Sequence, residues 1–445
     1  MPASVSAARR LAVEQLIRMA EEGTFVGHAV VPRDEEVTPR DERQSTDYVG
    51  GVTRWRRWLD FVLSHFVRME LDQLEPALRQ ILRLGLYDLL ILQTPPHAAV
   101  NEAVELTRVF VRPQAARLTN GVLRNVDRAR ERLPEPDSPD AAERLAIRHS
   151  HPTWMVQRWL NRYGESATER LLQMNNARPA YGLRVNVLRT SVEKYQEMLT
   201  GLGVEWEASP WIPYFLRVHQ LQPIIAAGHL AEGLVAVQDE SAGLIVRVLD
   251  PLPGERILDL CAAPGGKAIH AAQLMENRGE VLAVDLHESR LRLVSDAAST
   301  QGATIVRCLA ADGRDLSEAE VGIFDRVLVD APCSGLGVVA RRADLRWNRT
   351  EEQIRELTVL QDELLDSAAQ MVRPGGVLVY GTCTIEPEEN EERVRAFLQR
   401  NPAYSVESAH EFVPSETGTP EGFMVTLPQV HRTDGAFAAR LRRAE

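Results

Sequence analysis

Cysteine is scarce in this chain of 445 residues: there are four, Cys261, Cys308, Cys333 and Cys383, far apart and without a CxxC pair. That spacing argues against a zinc site, so any special cysteine is special as a thiol. Long apolar runs are missing too. No stretch reaches the ~18 residues of a membrane-crossing helix, and none is expected. The opening MPASVSAARRLAVEQLIRMAEEG interleaves charges with apolar residues at helical spacing. It lacks the unbroken apolar core of a signal peptide. The expectation is a cytoplasmic chain, whose thiols stay reduced. Repeats of fixed period and low-complexity tracts are absent. Positive charge is in deficit, 51 Lys and Arg against 63 Asp and Glu, a net charge of −12. The balance argues weakly against a nucleic-acid partner.

The charge deficit conceals a pattern. From Arg112 to Arg132 six arginines face only Asp127 and Glu131, and from Arg148 to Arg189 seven face Glu165 and Glu169. Interleaved with Trp154, Trp159, Tyr163 and Tyr181, they suit a phosphate-and-base surface. Solvated helix faces would give the same pattern. The other bulk properties, 44% hydrophobic and 26% charged residues, are those of a soluble globular protein. The length is too great for one core, so two or three domains are expected.

The first 135 residues read as helices throughout. YVGGVTRWRRWLDFVLSHFV and LEPALRQILRLGLYDLLIL repeat apolar positions every three or four residues. Pro95 and Pro96 interrupt the pattern, and HAAVNEAVELTRVF restarts it, with Asn101 or the preceding loop as the cap. RLPEPDSPDAAE is a natural linker. Residues 140–235 mix two short helices with the strands YGLRVNVL and PYFLRVH and the helix SVEKYQEMLTGLG between them. That mixture suggests a small open-faced α/β subdomain. From residue 236 to 445 apolar strands alternate with helices: RILDLC, EVLAVDL, ATIVRCLA, FDRVLVDAP and GVLVYGTC. A parallel sheet with helices on both faces follows.

Ligands of such sheets bind at the C-terminal strand ends. The first strand ends in DLCAAPGGK, where Cys261, Ala262, Ala263, Pro264, Gly265, Gly266 and Lys267 form a turn that opens a helix. Glycines there admit close approach to the backbone, and the helix start offers free N–H groups. The second strand ends at Asp285, placed for the hydroxyls of a ribose. Asp312 follows the third, placed for an adenine edge. Each acid alone could cap a helix; Asp259, Asp285 and Asp312 in succession, with the glycine turn, point to a nucleoside. The turn is neither GxGxxG nor GxxxxGK[ST], since Ala268 follows Lys267. S-adenosylmethionine, with no phosphates to cradle, is the remaining common choice.

Two further strand ends carry thiols, VLVDAPCSGLGVV with Cys333 and VLVYGTCT with Cys383. Cys308 has no motif and is expected in the core. DLCAAPGGK, VLVDAPCSGLG and YGTCTIEPEENE together resemble the RNA cytosine-C5 methyltransferases of the NOP2/NSUN/Sun family, over roughly residues 140–445. The helical first domain resembles the RNA-binding NusB family. The resemblance implies an all-α NusB-like domain, a small RRM-like α/β subdomain and a Rossmann-like class I methyltransferase domain. It implies attack on carbon 6 of cytosine by Cys383, product release helped by Cys333, and S-adenosylmethionine held by residues 261–267, Asp285, Asp312 and Asp330. Covalent addition of a thiolate explains why carbon 5, a poor nucleophile, becomes reactive. Asp330 is placed to touch cofactor or cytosine, although a carboxylate beside a thiol raises its pKa. Helix starts after the loops are expected to oppose that effect.

EPEENEE after Cys383 is either a bare helix start or, by the family match, a place where Asn390 orients the catalytic loop. Thr384 and Ala436 stand where many relatives have serine and an aromatic. The implied partner is RNA, with 16S rRNA favoured by the helical domain; tRNA or other rRNA stays open. So do an RNA-binding assembly factor with a vestigial enzyme domain and a small-molecule methyltransferase. No metal and no membrane are expected, and a monomer is favoured.

Overall fold

The computed structural model describes residues 5–22 and 37–445. Two compact units emerge. One is Met1–Ala177 with Arg341–Asn348, the other Arg178–Ala340 with Arg349–Glu445.

The first unit is helical. Ala7–Glu22, Pro39–Phe66, Pro76–Leu86, Pro96–Phe110 and Ala116–Arg128 close around Leu59, Leu63, Ile81, Leu82 and Leu123. Thr38 starts the longest of them. Its side chain accepts from the backbone of Asp41, whose carboxylate accepts in return, a reciprocal cap. The helix containing Asn101 begins at Pro96 instead, with Pro95 as its cap. Asn101 lies inside that helix, because proline at the first position loses no hydrogen bond and needs no polar cap. Ala141–Arg148, Thr153–Tyr163 and Glu165–Asn176 complete the unit. Trp159 is buried rather than offered to a ligand.

The second unit holds two sheets. Strands β1 (Tyr181–Val185), β2 (Trp206–Ala208), β3 (Phe215–Val218) and β4 (Val235–Val237) form an antiparallel sheet in the order β2-β3-β1-β4. Leu183, Val185, Leu216 and Val218 pack on Tyr195 and Leu199 of the helix Val192–Gly201. Arg184 of β1 does not belong to a phosphate-binding surface: it is 1% exposed.

The larger sheet comprises β5 (Arg256–Leu260), β6 (Glu280–Asp285), β7 (Val306–Ala310), β8 (Phe324–Asp330), β9 (Val372–Thr382), β10 (Tyr404–Glu407), β11 (Met424–Thr426) and β12 (Ala436–Arg443). Its order is β10-β12-β9-β8-β5-β6-β7, with β11 beside β12. Strands β5 to β9 are parallel, as their apolar runs predict. Alternate residues feed opposite cores, Ile257 and Leu328 on one face, Leu258 and Val327 on the other.

The sheet is mixed, however, not wholly parallel. Strand β12 pairs antiparallel with β9, β10 and β11. AFAARLRR has too many alanines and arginines to read as a strand. Tertiary partners make it one: Arg440 is 2% exposed, held by Glu407 at 2.6 Å and by the carbonyls of Val248 and Leu249. Cys308 is exposed, not core, because β7 is the sheet's edge strand.

Candidate active site

Chain order reverses at β5, which lies between β6 and β8, and the crevice above such a switch point is where ligands sit. The turn after β5 is tightly specified. Cys261 and Gly265 both have positive φ, +65° and +101°. A side chain at Gly265 would meet the backbone of Val294 at 3.1 Å, so only glycine fits. Arg184 fixes the turn from below, donating to the Gly266 carbonyl at 2.7 Å, to Gln301 and to Gln238. Asp285, 3% exposed, accepts from the backbone of Ala263 and His287, with Arg290 at 3.4 Å. Arg290 also donates to the Ala263 carbonyl. Ala262 and Ala263 are buried, and Pro264 is exposed at the tip.

Asp259, at β5, is 1% exposed and neither carboxylate oxygen has a partner among the described residues. Burial and then Asp330 push its pKa well above the usual carboxylate range. Carboxylates thus gather around the turn: Asp259, Asp285 and Asp330. This set repels phosphates and suits a cationic ligand rich in hydroxyl and amino donors. Asp312 stands apart, forked by Arg314 at 2.6 and 3.0 Å. Arg314 holds its carboxyl below the usual range.

The β8–β9 register sets Asp330 opposite Gly381 and so brings the two following loops together. Cys333 and Cys383 face each other, Sγ to Sγ, at 3.2 Å. The Cys383 N–H also points at the Cys333 sulfur at 3.3 Å. One proton shared between two thiols makes them unequal. Cys383 lies below the ordinary thiol value through its contact with Cys333, which outweighs burial and Asp330, with Lys267 adding to the lowering. Cys333 is pushed well up, by that same bond, by burial and by Glu389. Asp330 pushes Cys383 up, and Lys267, whose Nζ bonds that carboxylate at 2.6 Å, offsets part of the push. Burial opposes the charge on Lys267, but Asp330 outweighs it and raises the pKa. The counterweight to Asp330 is therefore Lys267. Helix starts do not supply it: after Cys333 the next helix is Leu345–Asn348, and after Cys383 only a short turn precedes Glu391–Arg400. Cys261 lines the turn with its pKa pushed up to about 12 by burial and Asp330.

Beneath the thiols lies a buried network. Glu389 is fully buried. Its Oε1 accepts the Ser334 N–H at 2.7 Å and Gln361 at 3.1 Å, and Oε2 accepts the Ser334 hydroxyl at 2.5 Å. Ser334 Oγ meets Thr384 Oγ1 at 2.8 Å. One carboxylate thus ties down the residues directly after both cysteines. Asn390 accepts from Thr382 and donates to the Thr384 carbonyl. Gly337 closes the frame, because a side chain there would strike the Gly435 oxygen at 2.1 Å and that of Cys383 at 2.8 Å.

Sequence reasoning missed Glu389, Gln361 and Ser334, and it counted Lys267 with the cofactor turn alone. The sequence held one clue, an acid immediately before Asn390 in EPEENEE. Glu391 and Glu392 do start a helix, as charge alone suggests. Glu389 cannot be told from them without its burial.

Three family profiles cover the chain in succession: the NusB family at residues 6–128, an RsmF/B-like ferredoxin-like domain at 151–225, and 16S rRNA methyltransferase RsmB/F at 246–442. The probable ribosomal RNA small subunit methyltransferase B of Bacillus subtilis is 34% identical, over 98% of each chain. Ribosomal RNA small subunit methyltransferase B of Salmonella arizonae is 36% identical over 97% of this chain and 98% of its own. Among solved structures, PH0851 covers all of both chains at a TM-score of 0.81 and 30% identity. A methyltransferase homolog from Pyrococcus horikoshii covers 69% of this chain and 99% of its own, at 0.60 and 29%. With a helical NusB domain, a ferredoxin-like subdomain and a Rossmann-like domain that match in order, the chain belongs to the RsmB/F methyltransferase family.

Proposed function

We propose that this methyltransferase modifies carbon 5 of a cytosine in 16S rRNA, with S-adenosylmethionine as donor and Cys383 as transient nucleophile. The observation that carries the reading is the 3.2 Å pair of Cys333 and Cys383 beside the Lys267–Asp330 ion pair. When bound, S-adenosylmethionine supplies an electrophilic methyl group. The fit rests on Asp259, whose two orphaned oxygens lie beneath the turn, and on carboxylates that match ammonium, hydroxyl and amino donors. In this reading residues 261–267 and Asp285 hold the cofactor, Asp312 closes its adenine end, and Asp330 faces both cofactor and cytosine.

Cys383 adds to carbon 6, forming a C–S bond, while the Asp330–Lys267 pair delivers a proton to ring N3. Carbon 5 then carries the electron density needed to take up the methyl group. Loss of the carbon 5 proton to solvent and cleavage of the C–S bond then regenerate the aromatic ring and the Cys383 thiolate, and the N3 proton returns to the Asp330–Lys267 pair. Cys333 is poised to help that release. The division into a NusB-like domain (1–135), an α/β subdomain (140–235) and a catalytic domain (236–445) belongs to the same reading, as does a cytoplasmic site of action. The test is methylation of 16S rRNA from cells lacking the gene, followed by bisulfite sequencing. Protein-dependent protection of one cytosine supports the assignment; label only in tRNA moves the substrate, and none in any RNA rejects it.

A further inference from the structure

A cavity of about 370 Å³ opens within the helical unit. Its walls include Arg56, Arg79, Arg83, Asp60, Asp344 and Trp347, all residues of that unit. Arg83 and Asp60 satisfy each other through two bonds of 2.7 Å. Two other groups are left over. The Arg56 guanidinium lies on the Trp347 ring, 4.1 Å from its centroid. It has no hydrogen bond or ion pair among the described residues. Burial and the nearby Arg83 bring its pKa down to about 10. Asp344 is 3% exposed, and its Oδ2 has no hydrogen-bond partner among the described residues. Arg56 and Asp344 do not pair with each other. A buried acceptor without a donor, and a half-buried guanidinium without an acceptor, are both costly. A ligand spanning the cavity would relieve both.

We infer that this cavity binds a guanine nucleotide. Guanine carries N1–H and N2–H donors on one edge and the O6 and N7 acceptors on another. Asp344, after a turn about its soft terminal torsion, takes the donors, and Arg56 gives to the acceptors. Adenine and cytosine lack that pairing of edges. The Trp347 ring on which Arg56 lies holds that guanidinium in place for donation to the base edge. Three arginines against two aspartates leave positive charge for a phosphate, and Arg79 is placed to meet it. The volume falls within the roughly 300–1,000 Å³ of small-molecule sites. Whether the guanosine is free or part of an RNA strand is the one element that rests on the function proposed above.

Calorimetry on the full chain tests the site with GMP, AMP and CMP. GMP should bind about tenfold tighter than AMP or more, the discrimination of a good paired base contact. Asp344→Asn should weaken GMP about tenfold and favour xanthosine monophosphate, because the amide donates where xanthine carries O2. Arg56→Ala should weaken every nucleotide. Melting curves of both variants check folding, and the wild-type preference needs no variant. Displacement of GMP by a guanosine-containing single-stranded oligoribonucleotide, and not by a guanosine-free one, assigns the ligand to RNA. Failure to displace it assigns a free nucleotide. Equal affinity for GMP and AMP, no binding of either, or GMP binding unchanged in Asp344→Asn overturns the inference. Intact methylation of 16S rRNA without GMP binding would sink this site alone; GMP binding without methylation would sink the enzymatic reading alone.

Discussion

The sulfur atoms of Cys333 and Cys383 lie 3.2 Å apart although fifty residues separate them in the chain. Adjacent parallel strands create that proximity, and the surroundings make the pair asymmetric. Lys267 stands on the side of Cys383 and Glu389 on the side of Cys333. These surroundings favour the proton on Cys333 and the thiolate on Cys383, the arrangement that the proposed nucleophile requires.

Replacement of each thiol should have a different outcome. Cys383→Ala is expected to abolish methyl transfer while cofactor binding survives. Cys333→Ala should still attack RNA and release it poorly, leaving a covalent complex as a slow band on a denaturing gel. A band from Cys383→Ala and none from Cys333→Ala would reverse the roles.

The pH dependence follows from the direction of the shift. A thiol held below its ordinary value is reactive at lower pH, so alkylation of Cys383 by iodoacetamide should titrate below a free cysteine. Lys267→Met removes a charge that favours the thiolate, and Cys333→Ala removes its hydrogen-bond donor. Both should move the midpoint upward, as read by mass spectrometry of the Cys383 peptide across a pH series. A midpoint unmoved in both variants would refute the electrostatic account.

Glu389 acts through others, as a positioning residue. Glu389→Gln keeps the shape and an acceptor for the Ser334 N–H but replaces the acceptor of the Ser334 hydroxyl by a donor, a loss of about 1–3 kcal/mol in stability. Turnover should fall with little change in KM for RNA, and Glu389→Asp should recover part of it. A variant that melts lower yet turns over normally would confine Glu389 to stability.

Asp285→Asn should weaken S-adenosylmethionine binding by about 1–3 kcal/mol, the cost of unpaired hydroxyl partners. Asparagine preserves one acceptor for the Ala263 N–H, so the turn itself should persist. Isothermal calorimetry decides, and unchanged affinity would place the ribose elsewhere.

Arg346 is fully buried in the helical unit. It donates to the carbonyls of Arg54, Ser150 and Asn175 and to the Asn176 side chain, at 2.8 to 3.2 Å. Arg346→Ala strands those acceptors and opens a cavity, so a loss of about 2–4 kcal/mol is expected. A thermal melt that is unchanged would contradict this. The same bonds show why truncation near residue 140, at the proline-rich linker, would cut through a compact unit: helices up to Ala177 and the distant segment Arg341–Asn348 belong to it.

The sequence by itself determined the helical first part, the five parallel strands, the glycine turn and the two cysteines. Each is written locally, in a period of two or 3.6 residues or in a short motif. Its silence on β10, β11 and β12 has the same origin, since those strands exist only through neighbours supplied by distant residues. Arg440 illustrates this, being neutralised by Glu407 and by carbonyls nearly two hundred residues earlier. Tertiary structure alone decided that Lys267 pairs with Asp330, that Glu389 is buried while Glu391 begins a helix, and that the two thiols meet. Among the described residues it also left both oxygens of Asp259 and Oδ2 of Asp344 without a hydrogen bond. Charge state and hydrogen-bond satisfaction depend on burial and on atoms a few ångströms away, and linear spacing encodes neither.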